Sequence, residues 1–63
     1  MYLSSMKYEV KDYLRNRFGL NETQIALAML NDSKGIEEGA KEDIDPESVA
    51  EAVYKNYKHS YGL

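Results

Sequence analysis

The sequence predicts an all-α protein: a small bundle of three helices, or four if a weak segment near residues 35–42 forms. Three observations carry this. Ile25-Ala26-Leu27-Ala28-Met29-Leu30 is an unbroken apolar run that follows directly on a helix-start signal. Met6, Val10, Leu14 and Phe18 recur every fourth residue, as the buried stripe of an amphipathic helix does. Asp45-Pro46 combines a favoured N-cap residue with a proline at the first helical position.

The first helix is expected over roughly residues 5 to 18. Ser4 or Ser5 can cap its start, Leu3 and Tyr13 share the arc of the apolar stripe, and Gly19 can take the left-handed conformation that ends a helix. The second is expected over residues 22 to 31. Asn21 followed by Gln24 has the spacing of a capping box, and Leu20 and Ile25 that of a hydrophobic staple. With apolar residues on all sides, Ile25 to Leu30 reads as a central helix shielded by its neighbours.

Asn31-Asp32-Ser33-Lys34-Gly35 has turn chemistry, yet Ser33 can also cap a short helix through Ile36, Ala40 and Lys41, weakened by Gly39. The last helix should start at Asp45 and Pro46, bury Val49, Ala50, Val53 and Tyr57, and run to His59 or Tyr61 before Gly62. Ile44 is spaced to staple onto Val49.

With 63 residues the chain reads as one helical domain, residues 1–63, near the lower size limit for independent stability. It has no cysteine and one histidine, so neither disulfides nor a structural zinc can reinforce it. No apolar run reaches the length of a membrane span, and Met1 to Ser5 lacks the pattern of a signal peptide, which points to a cytoplasmic protein without membrane attachment. The triplets Asn21-Glu22-Thr23 and Asn31-Asp32-Ser33 then match the glycosylation motif by chance.

Charge is unevenly laid out within a net charge of −3. Lys7, Lys11, Arg15 and Arg17 outweigh Glu9 and Asp12 in residues 1–21, and Lys55 and Lys58 stand alone in residues 52–63. Residues 22–51 are strongly acidic. Lys7, Lys11 and Arg15 form a like-charge ridge, a few tenths of a kcal/mol unfavourable per pair, that something anionic should face. In the simplest reading the acidic Glu37–Glu47 segment folds back onto it or water and salt screen it; in the other the ridge binds an acidic protein or phosphates. Tyr8 lies outside the apolar stripe and beside Lys11 and Arg15; Tyr54 and Tyr61 fall at the margin of the last helix's stripe, next to Lys58.

Catalysis has little to work with: His59 and Ser60 share a terminal turn with no third group to orient them, and no glycine-rich phosphate loop is present. Asp43, Asp45 and Glu47 alternate like calcium-loop ligands, but no glycine stands at the sixth place and Tyr54 replaces the twelfth-position glutamate. No catalytic residue, metal or cofactor is therefore expected. The segment from Leu20 to Glu42 has the outline of a helix-turn-helix, but its second helix would present carboxylates to phosphates.

The reading that follows is a protein–protein interaction or regulatory module whose contact surface comprises Tyr8, Lys11, Arg15, Tyr54, Lys58 and Tyr61. Its partner is another protein or a second copy, a homodimer through the terminal helices burying the tyrosines. The alternative is a nucleic-acid-binding accessory factor using the same basic and aromatic faces of the terminal helices.

Overall fold

The computed structural model describes residues 1–63 and contains four helices: α1 (Leu3–Asn16), α2 (Glu22–Asn31), α3 (Ser33–Lys41) and α4 (Pro46–Tyr61). Each helix packs on the other three. The core is built from Met6, Val10 and Leu14 of α1, Ile25 and Ala28 of α2, Ile36 and Ala40 of α3, and Val49, Ala50, Val53 and Tyr57 of α4. No buried polar side chain is left without a partner.

The local signals act where they are placed. Asn21 Oδ1 accepts from the Gln24 amide at 2.8 Å and Gln24 Oε1 accepts from the Asn21 amide at 2.9 Å, the complete capping box. Gly19 (φ +69°) and Gly62 (φ +70°) take the left-handed conformation after α1 and α4. Pro46 opens α4.

Three boundaries differ from expectation. Helix α1 starts at Leu3 with Tyr2 at its N-cap, so Ser4 and Ser5 lie inside the helix and cap nothing. It ends at Asn16 rather than Phe18, which releases the Phe18 ring to stack on Tyr54 at 4.4 Å between centroids. The segment after α2 forms a full helix: Asp32, not Ser33, stands at its N-cap, without a side-chain bond. Asp45 also occupies its N-cap position without a side-chain bond, and its carbonyl accepts from Val49 instead.

Gly39, which weakens α3 as an isolated helix, is what lets α3 approach α4: a Cβ there would lie 2.7 Å from Val49 Cγ2.

The larger correction concerns α2, which is not enclosed. Ile25 and Ala28 are buried, Met29 is half-buried, but Ala26, Leu27 and Leu30 face outward, Leu30 with 76% of its surface exposed. The bundle is only 16 Å across its shortest axis. Helices pack about 8–10 Å apart, so two layers fit and none can be covered on every side.

Candidate interaction surface

Residues Thr23, Ala26, Leu27 and Leu30 recur at the i, i+3, i+4, i+7 spacing of a single helical face. All four are exposed. This departs from the usual amphipathic layout, since the outward face of α2 carries no charge along its length and Glu22 stands only at its start.

On the α1 side the stripe borders a depression of about 260 Å³ lined by Lys7, Tyr8, Lys11, Glu22, Ile25, Ala26 and Met29. A second depression of about 260 Å³ continues it past Met29 and Leu30 to Ser33 and Ile36, with Lys7 again on its edge. On the far side, Asn31 Nδ2 donates to Ser60 Oγ at 3.1 Å and ties the last turn of α2 to the last turn of α4, where Tyr61 is half-exposed against Tyr57. The largest depression, about 440 Å³, lies elsewhere between the chain start and α3, and its two lysines and two glutamates offset one another.

Of the expected contact residues, Tyr8 (72% exposed) and Lys11 line the α1–α2 depression, and Tyr61 lies at the α4 end. Arg15 is engaged within the chain, donating to Glu22 Oε1 from Nη2 at 2.6 Å and from Nε at 3.0 Å. Tyr54 is half-buried against Phe18, with Lys58 Nζ 5.3 Å from its ring centre. No hydrogen bond, ion pair or ring contact joins the Tyr8–Lys11–Arg15 group to the Tyr54–Lys58–Tyr61 group.

The cationic ridge is met by Glu22 rather than by the Glu37–Glu47 segment, which corrects the simplest expectation. Lys11 Nζ lies 3.9 Å and Arg15 2.6 Å from the Glu22 carboxylate. The short Gly19 turn delivers the first residue of α2 to the end of α1, closer than the acidic segment can come. Within that segment Glu47 reaches Arg17, which also meets Glu51 at 3.4 Å, and Asp43 reaches the N-terminal ammonium of Met1 at 3.0 Å, but no carboxylate of the segment pairs with the ridge itself. Lys7 has no ion-pair partner.

The hydrogen bonds from Arg15 hold the Glu22 carboxyl below the usual glutamate range, with the charges of Arg15 and Lys11 acting in the same direction and partial desolvation opposing them. Because the folded-state pKa is the lower one, the associated stability is present above the unfolded-state pKa and is lost as pH falls through the folded value. A carbon-detected NMR titration should show Glu22 as the most acid-shifted glutamate, and Arg15→Gln should return it toward the others. An unshifted Glu22 would mean that the pair does not persist in solution.

No three histidine, aspartate or glutamate side chains gather closely enough to hold a metal ion, and no helix is long and apolar enough to cross a membrane. No protein-family model, curated protein or solved structure matches the chain.

Proposed function

We propose that this protein is a protein–protein interaction module whose contact face is the outward side of α2, bordered by Tyr8 and Lys11 on one flank and by Tyr61 on the other. The observation that carries this reading is the uncharged stripe of Thr23, Ala26, Leu27 and Leu30, with Leu30 76% exposed. Single exposed leucines are ordinary on protein surfaces, but an aligned set beside two apolar-floored depressions is a feature of interaction sites. The face is also well supported from behind: the capping box secures its start and Ile25 and Ala28 anchor it to the core.

The arginines on which nucleic-acid binding would draw have carboxylate partners, Arg15 with Glu22 and Arg17 with Glu47 and Glu51. That favours a protein partner over a phosphate backbone.

Site-specific photocrosslinking in the source cells tests the reading. A benzophenone side chain at position 30 or 27 should give one dominant protein adduct, a second copy of the chain included, while the same probe at the exposed position 55 should give none. Equal labelling at all three positions, or none at 27 and 30, would overturn it.

A further inference from the structure

We infer that the partner on the α2 face is a second copy of this chain, docked with its α2 antiparallel to the first about a two-fold axis passing between Ala26 and Leu27. This rests on the interaction reading above and adds the identity and geometry of the occupant.

The face is complementary to itself in size. Along the stripe the small residues Thr23 and Ala26 precede the large residues Leu27 and Leu30. An antiparallel copy sets Leu30 against Thr23 and Leu27 against Ala26, large onto small at every step, the alternation that lets packed layers interdigitate. A parallel copy would set Leu30 on Leu30 and leave a gap between the two Thr23 side chains. Helix α2 spans ten residues, about 15 Å, so the antiparallel pair forms one short continuous contact.

The charges agree with the same geometry. The stripe has no charge to oppose its own copy, and antiparallel dipoles attract. Lys7, the cation of the α1 ridge without an ion pair, borders the Met29–Leu30 end of α2, while Glu22 marks the other end. The two-fold axis brings Lys7 of each copy toward Glu22 of the other. A parallel pair would instead cluster the two Glu22 carboxylates.

Area supports a dimer that includes the flanks. A standard interface covers about 800 Å² per partner, roughly a fifth of the 4176 Å² that this chain exposes. The α2 stripe is too short to supply that alone. The exposed Tyr8, which lines the α1–α2 depression, and Tyr61, next to the Ser60 that bonds Asn31, extend it.

Sedimentation of the purified chain over roughly 10 µM to 1 mM should show the mass rising from 7.2 kDa toward twice that value. Leu30→Asp should remain at 7.2 kDa throughout. Leu30 is exposed in the monomer, so far-UV circular dichroism should show unchanged helix content. The geometry is tested by cysteine pairs, which the cysteine-free chain allows. Under mild oxidation, Thr23→Cys mixed with Leu30→Cys should form the mixed disulfide dimer several-fold faster than either variant forms its own.

Preferential self-linking of Leu30→Cys would overturn the antiparallel arrangement. A monomer at every concentration would overturn the dimer. If position-30 photocrosslinking still traps a protein in that case, the interaction reading stands with a different partner.

Discussion

Leu14→Ala is expected to leave much of the protein unfolded. Leu14 is fully buried on the α1 stripe with Met6 and Val10. Removing a buried leucine side chain costs about 2–5 kcal/mol, the loss of transfer energy plus the cavity left behind. Typical per-residue stabilities give a chain this size about 3–9 kcal/mol in total, so one such loss removes a large share. No disulfide limits the damage. Urea denaturation followed by circular dichroism should show the midpoint falling by half or more with little change in slope. Tyr2→Ala, at a side chain 82% exposed, should shift stability by no more than about 0.5 kcal/mol. Equal effects of the two substitutions would mean that the α1 stripe is not the core.

Gly39→Leu should detach α3 from α4. The Val49 side chain packs so closely on the Gly39 backbone that even a Cβ at position 39 would lie 2.7 Å from Val49 Cγ2, and the Gly39 carbonyl also accepts the Ile44 amide at 2.9 Å just before α4 begins. A leucine has no space there without separating the helices. Gly39→Ala sets two effects against each other. Helix propensity favours alanine by about 1 kcal/mol, whereas overpacking a well-filled contact costs about 1–3 kcal/mol. A net loss of up to about 2 kcal/mol is expected. Hydrogen exchange should locate it, with amides of Ile36 to Lys41 losing protection most in the leucine variant.

Gly35→Ala is the control. Its Cβ would meet the Asp32 carboxylate at 2.6 Å, but that is the end of a movable side chain, whose hydrogen bond from Asn56 Nδ2 at 2.8 Å is the main thing at risk. The propensity gain should offset this to within about 1 kcal/mol. Stabilisation of Gly39→Ala by the full propensity term would show that α3 and α4 do not touch at this point.

The two glycines illustrate how legible the chain is. Gly39 reads in the sequence as a weakness in a marginal helix, because propensity is all that local analysis can weigh. Its value lies in a neighbour ten residues away. Phe18 behaves similarly: its fourfold spacing with Leu14 assigns it to the end of the first helix, whereas stacking on Tyr54 draws it into the turn.

The proposed contact face escapes a reading of the sequence for a related reason. Thr23, Ala26, Leu27 and Leu30 lie within a run that looks like core at every position. Chain length was the signal that could have found them, since 63 residues cannot surround a helix that is apolar on all sides.

By itself the sequence determined that the helices form and where α2 and α4 begin and end. The Asn21–Gln24 box, Pro46, Gly19, Gly62 and the apolar periodicity all act over a turn or two of backbone, where covalent neighbours decide the outcome. Only tertiary structure decided which side of α2 is covered, that Glu22 rather than the acidic middle segment meets the α1 cations, and that Gly39 is a contact. Those outcomes depend on how many helices fit around one another in two layers and on which chain segments the turns bring within reach, and neither quantity is a property of any local stretch of residues.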